Sequence, residues 1–264
     1  MKLSDVTAKI EARIPKCWAE DWDNPGLALG HSEADISRIA VALDATPENV
    51  ESAAALGCEM LVTHHPVIFR PVSSVTDTGI AGSALLAAAE KKMAVYSAHT
   101  NWDCSPEGVN ILLASLLHIS SPKPLLPSQA GSWGLGAAGD LPEPVSASAF
   151  LNALHERWGL NDFTFYGDTG KVIRRIALGG GACQDLWRSA VKEGADCFIT
   201  ADFSYHIRQE ALAAGLSIVS ADHGEMERAS LPALAEILRE ETALEVFLLK
   251  EKINTHLHWQ KNLI

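Results

Sequence analysis

The chain repeats itself. Gly57-Cys58-Glu59-Met60-Leu61-Val62-Thr63-His64-His65 aligns with Gly194-Ala195-Asp196-Cys197-Phe198-Ile199-Thr200-Ala201-Asp202, and threonine stands six positions after glycine in both copies. Upstream, Ala42-Leu43 and Ala177-Leu178 each lead through a turn and a helical stretch to that glycine. Downstream, Val95-Tyr96-Ser97-Ala98-His99 corresponds to Ile218-Val219-Ser220-Ala221-Asp222-His223. Such a repeat restricts the fold to two similar α/β halves, each built on a βαβ unit with a right-handed crossover.

Local signals support the elements. Ile39, Val41 and Leu43 alternate as a strand, and Thr46-Pro47-Glu48 supplies an N-cap, a first-turn proline and an early acid. The helix then runs to Gly57, a left-handed C-cap, and the chain returns as the apolar run Met60 to Thr63. Leu3, Val6, Ile10 and Ile14 predict a first helix behind a Ser4 cap. Gly79 to Lys92 is helical, Met93 to Ser97 a strand, and Ser105-Pro106 a helix start. Three prolines between Ser120 and Ser128 place a boundary there, giving domains 1–125 and 126–264, with the C-terminal elements free to pack back on the first.

Ligand sites in such sheets lie beyond the carboxyl ends of the strands. There the chain carries His64 and His65, then Asp103, then His223 and Glu227, the last two four residues apart and so on one face of a helical turn. Strand-end capping explains any one cluster, but not all of them at equivalent ends. Three imidazoles and two carboxylates exceed the needs of one tetrahedral zinc and suit two divalent ions sharing a carboxylate, in the cleft between the halves. Zinc, iron, manganese, nickel and cobalt all accept this donor set. His99 reads either as a catalytic proton shuttle or as a hydrogen-bonded strand-end histidine. Asp202 and His206 are orienting or capping candidates. Asp23 and Asn24 read as turn chemistry in Asn-Pro-Gly, with a place in the site wall as the alternative. Gly179-Gly180-Gly181 forms either a phosphate cradle or a tight turn, while Gly134 to Gly139 matches GxGxxG but reads as turn glycines. His31, His118, His155, His256 and His258 have no matched partners and are assigned to surface or packing.

Through Trp22-Asp23-Asn24-Pro25-Gly26-Leu27, Thr63-His64-His65-Pro66, Ser97-Ala98-His99-Thr100-Asn101-Trp102-Asp103 and His223-Gly224-Glu225-Met226-Glu227, the chain resembles the Nif-three-like dinuclear metal-centre hexameric proteins, also called GTP cyclohydrolase I type 2 homologs. The resemblance implies that His64, His65, Asp103, His223 and Glu227 are metal ligands, with Asp103 the favoured bridge. It also implies a toroidal homohexamer and a reaction that opens the guanine imidazole ring of GTP. Trp102 stands where a smaller apolar residue is usual, and is large enough to narrow the pocket; Ala201 stands where glycine is common.

Composition bounds the rest. With 21 Lys and Arg against 33 Asp and Glu, a net charge of −12 argues against bulk nucleic-acid binding. Five cysteines without CxxC spacing (Cys17, Cys58, Cys104, Cys183 and Cys197) fit a reducing compartment and small core residues. No apolar run reaches the roughly 18 residues of a membrane span, and the first residues enter a helical pattern, so a soluble cytoplasmic protein is expected. The leading expectation is a metal-dependent hydrolase acting on a small molecule, a nucleotide among the candidates. The alternative is a non-catalytic, metal-stabilised hexameric ring that binds a partner or stores metal.

Overall fold

The computed structural model describes residues 1–250 except Gln129 and Ser132, so His256 and His258 lie outside the described residues. The strands are Gly26–Leu29 (β1), Arg38–Ala42 (β2), Met60–Thr63 (β3), Ala94–Ser97 (β4), Ser120–Lys123 (β5), Leu126–Pro127 (β6), Gly134–Leu135 (β7), Ala137–Ser146 (β8), Phe163–Tyr166 (β9), Val172–Leu178 (β10), Cys197–Thr200 (β11), Ser217–Ala221 (β12) and Glu245–Leu248 (β13). The α-helices are Leu3–Arg13 (α1), Pro47–Ala55 (α2), Ile80–Glu90 (α3), Thr100–Asp103 (α4), Val109–Leu116 (α5), Ala147–Trp158 (α6), Trp187–Lys192 (α7), Tyr205–Ala213 (α8), His223–Arg228 (α9) and Leu231–Thr242 (α10).

The architecture is α/β, and the repeat is visible in strand register. In one sheet, ordered β1, β4, β3, β2, β13, Ala42 pairs with Thr63 and Thr63 with Ser97. In the other, ordered β5, β8, β10, β11, β12, β9, Leu178 pairs with Ile199 and Thr200 with Ser220. Each parallel trio has an antiparallel strand at the equivalent edge, β1 against β4 and β9 against β12, while the other edge carries the parallel β13 in the first sheet and the antiparallel β8 in the second. Gly57 and Gly194 both adopt φ of 71°, the left-handed turn that only glycine enters without a Cβ penalty. The C-terminal β13 joins the first sheet beside β2, and β5 joins the second beside β8.

Alternation along each strand sorts its residues between two layers. Ala40, Leu61 and Val95 face α2 and α3, and Ala177, Phe198 and Ile218 face α7 and α8. Their neighbours Val41, Val62 and Tyr96, with Ile176, Ile199 and Val219, turn to a shared core with Leu234 and Leu238 of α10. The two parallel trios therefore back onto one contiguous apolar cluster.

Three local expectations change. The first helix begins at Leu3, not behind Ser4, because the Leu3 and Ser4 amides donate to the Ala34 and Ser32 carbonyls at 2.9 and 3.0 Å, which satisfies the helix end without a side-chain cap. The helix predicted from Ser105-Pro106 begins only at Val109, since a tight turn packs Gly108 so closely that a Cβ there would lie 1.7 Å from the Trp102 carbonyl oxygen. Trp102 does not narrow the pocket: it is fully buried, and its Nε1 donates to Ser230 Oγ at 3.3 Å. The GxGxxG stretch runs through β7 and β8, with positive φ only at Gly134 and Gly136, and opens no helix. Among the described residues, no helix is long and apolar enough to cross a membrane.

Candidate metal centre

His64 and His65 follow directly on β3, where four buried residues hold the strand in place. Asp103 closes the single turn α4. His223 and Glu227 share a face of α9, whose N-terminus is capped by Asp222 accepting from the Glu225 amide. His99 immediately precedes α4. All six side chains meet at the carboxyl ends of the two parallel trios.

The histidines are oriented by a common device. Nδ1 of His64 donates to the Ala98 carbonyl at 2.9 Å, that of His65 to Asp44 at 2.8 Å, that of His99 to Asp23 at 2.7 Å and that of His223 to Asp202 at 2.8 Å. An acceptor-only partner fixes the proton on Nδ1 and leaves the Nε2 lone pair for a cation. Nε2 of His65 and of His223 lie 2.8 and 3.1 Å from Glu227 Oε2, and Nε2 of His64 lies 3.5 Å from Glu227 Oε1 and 3.7 Å from Asp103 Oδ1. These contacts lack hydrogen-bond angles: His64 Nε2, Asp103 Oδ1 and Glu227 Oε2 are buried with no hydrogen-bond partner. Buried polar atoms left unsatisfied cost roughly 1–3 kcal/mol each, more when charged. Three of them in one buried cluster of imidazoles and carboxylates is what a donor set built for a cation looks like, and nitrogen plus carboxylate suits a divalent transition metal; ligand atoms of His65, His223 and Glu227 lie within 4.8 Å of one another. Ring nitrogens of His64, His65 and His99 also lie within 4.8 Å of one another.

The electrostatics agree. Burial works against charge on His65 and His223, yet their flanking carboxylates raise them to about 10 and about 9. Burial would raise Glu227, but His64, His223 and His65 outweigh it and hold the acid well below the usual carboxylate range. Asp103 is lifted, by burial first and by the Glu227 charge against the pull of His64. Burial likewise opposes the ionisation of Asp23, but bonds from His99 and Thr100 bring it down to about 2. The centre thus draws positive charge, which protons on the imidazoles supply when no metal does.

The cluster forms the floor of a cavity of about 520 Å³, whose wall includes Trp22, Phe69, Leu126, Leu135, Cys183 and Leu186.

The sequence matches the family model Duf34/NIF3 (NGG1p interacting factor 3) over residues 1–255. The chain belongs to the Duf34/NIF3 family. A Clostridium perfringens protein named GTP cyclohydrolase 1 type 2 homolog is 32% identical over 96% of this chain and 97% of its own. NIF3-like protein 1 of Drosophila melanogaster is 30% identical over 91% of this chain and 84% of its own. The crystal structure of a Bacillus cereus protein related to NIF3 superposes with a TM-score of 0.92 over 98% of this chain and 99% of that one, at 19% identity, and so shares the fold.

In this Duf34/NIF3 chain some residues have roles that spacing did not reveal. Asp44, two residues beyond β2, orients His65; nothing in its local pattern marks it. Asp23, read as turn chemistry, is instead a buried carboxylate that accepts from His99 and from the Thr100 amide and hydroxyl. Asp202 orients His223 from a left-handed backbone with φ of 56°, whereas His206 is exposed and stands away from the cavity wall. His31, His118 and His155 are exposed. Cys58, Cys104 and Cys197 are buried as expected, but Cys17 is exposed and Cys183 lines the cavity.

The glycine run is a turn with a purpose. Gly181 has φ of 67°, and a Cβ there would stand 2.1 Å from Glu227 Oε1 and 3.1 Å from His223 Nε2. Gly181→Ala should therefore displace Glu227 and lower metal affinity at least about ten-fold, with a backbone penalty of about 1–2 kcal/mol. Metal titration beside thermal unfolding reads both effects, and unchanged affinity would contradict the close approach.

Proposed function

We propose that the chain is a metal-dependent hydrolase holding two divalent ions per subunit on His64, His65, Asp103, His223 and Glu227. One observation carries this: oriented imidazoles and unsatisfied buried carboxylate oxygens converge on the floor of an open cavity. The cavity favours catalysis over storage, because a purely structural site closes its coordination. The resemblance put the shared ligand at Asp103; Glu227 lies near three imidazoles whereas Asp103 lies 3.7 Å from His64, so Glu227 would be the carboxylate better placed to serve both ions, with Asp103 completing the set. Bound there, a divalent pair supplies Lewis-acid activation of water and charge neutralisation for a developing oxyanion.

The chain's own residues supply the rest. His99 lines the cavity with Nδ1–H tied to Asp23, so its Nε2 can take a proton from attacking water and return it to the leaving group while the carboxylate steadies the imidazolium. His99→Ala should keep its metal and lose about 10²–10⁴ in kcat. Loss of metal instead would make His99 a ligand. The relatives' name suggests a purine ring bond as the point of attack. Assembly as a homohexamer is part of the proposal on the strength of the resemblance, and the exposed Val72, Val75 and Ile80 (52%, 44% and 71%), which follow the cavity-wall residue Phe69 in the chain, are candidates for its contacts.

The test is turnover of metal-loaded protein on guanosine, adenosine, GTP and a phosphoester panel beside Asp103→Ala. Equal rates in both would trace activity to a contaminant and end the hydrolase reading. Because His65 and His223 are raised to about 10 and about 9, metal uptake at neutral pH must displace their protons. Affinity should rise with pH up to about 10, where His65 has lost its proton, and about two protons should be released per chain at neutral pH, which calorimetry in buffers of different ionisation enthalpy measures. Release of none would contradict the ligand set.

A further inference from the structure

Resting on the metal-centre reading, we propose that the cavity takes an uncharged planar heteroaromatic substrate of nucleobase or nucleoside kind, with its ring against Trp22 and Phe69, and does not recognise a triphosphate. Trp22 and Phe69 are 59% and 42% exposed, although both line the cavity. Their ring centroids are 5.8 Å apart and edge-on, and each also lies edge-on to His99, at 6.2 and 6.1 Å. A planar ring stacked on either face would cover apolar area now open to water and bring its edge toward His99 and the metal ligands.

The wall is built rather than incidental. Asn24 Nδ2 donates to the Ile68 carbonyl at 2.6 Å and ties the Trp22 loop to the Phe69 loop, while Asp23 anchors the same loop to His99 and Thr100. Three consecutive residues thus give a stacking surface, an orienting carboxylate and a staple. At about 520 Å³ the cavity lies within the usual range for small-molecule sites, roughly 300–1,000 Å³.

Its charge disfavours the triphosphate. Where protein groups hold a polyphosphate they are arginine, lysine or an amide cradle, and among the described residues no lysine or arginine lines this cavity. Arg175 is engaged by Asp140 and Glu193, Arg208 lies on Tyr166, and Arg70 stands outside the lining beside Phe69. Asp23, Asp44, Asp103, Asp185, Asp202 and Glu227 surround the site, so two dications leave the carboxylates in excess.

The test is calorimetric titration of metal-loaded protein, of counted metal content, with guanosine, adenosine, GTP as its magnesium salt and inorganic tripolyphosphate. Nucleosides should bind at least ten-fold more tightly than GTP, and tripolyphosphate should not compete. Trp22→Ala should weaken nucleoside binding at least ten-fold with metal content unchanged, and Trp22→Phe should restore most of it. GTP binding more tightly than guanosine, neither nucleoside binding at millimolar concentration, or an indifferent Trp22→Ala overturns the proposal. Nucleoside binding to protein that holds no metal would sink the metal-centre reading and leave this one standing; metal-loaded protein without nucleoside affinity does the reverse.

Discussion

Glu227→Gln is expected to leave a folded protein that no longer retains metal through chelation and dialysis, with turnover below about 1% of the parent. Glu227 is 3% exposed and lies within 3.5 Å of Nε2 of His64, His65 and His223, a position that Asp103, 3.7 Å from His64, does not share. Losing an outer hydrogen-bond partner of a metal ligand costs roughly 10–100-fold in affinity, and losing the shared ligand should cost more. Glutamine keeps the shape but brings an amide NH₂ against nitrogens that need an acceptor or a cation. Elemental analysis reads the metal, and circular dichroism checks that the fold survives. A variant that keeps two ions per chain would remove Glu227 from the ligand set.

Trp102→Ala has the largest expected effect on stability. The indole is fully buried in the shared core and joins α4 in the first half of the chain to Ser230, at the start of α10, in the second. Its removal should cost about 3–5 kcal/mol, from lost burial, a residual cavity and the lost hydrogen bond to Ser230, whose hydroxyl keeps only its bond to the Glu227 carbonyl. Against a total of about 5–15 kcal/mol this threatens the fold itself, and it should lower Tm by roughly 10 °C. Trp102→Phe keeps most of the volume and isolates the hydrogen bond, which should cost about 1 kcal/mol. Urea unfolding of both variants tests this. A loss below about 1 kcal/mol for alanine would contradict the core placement. Metal affinity should fall with stability in the alanine variant, because Asp103 is the next residue.

Much of this was legible because the constraints are local and duplicated. Gly57 and Gly194 require left-handed turns, Met60 to Thr63 reads as a strand buried on both faces, and two copies of one pattern reinforce each other. His223 and Glu227 announce themselves by helical spacing. The unread parts depend on distant chain. Asp44 looks like any loop acid until β3 brings His65 beside it, and Asp23 reads as part of an Asn-Pro-Gly turn until α4 closes over it. The Ser4 cap failed because backbone from residues 32–34 does its work. The sequence leaves C-terminal elements free to pack back on the first half, but that β13 pairs with β2, some two hundred residues earlier, is a tertiary choice that periodicity does not carry.

The most direct check is anomalous diffraction from crystals of protein purified without added metal and then supplied with a divalent transition metal, alongside elemental analysis of the same sample. The account predicts two peaks per chain among His64, His65, Asp103, His223 and Glu227. Ions bound elsewhere, or no ion at all after supplementation, would contradict it.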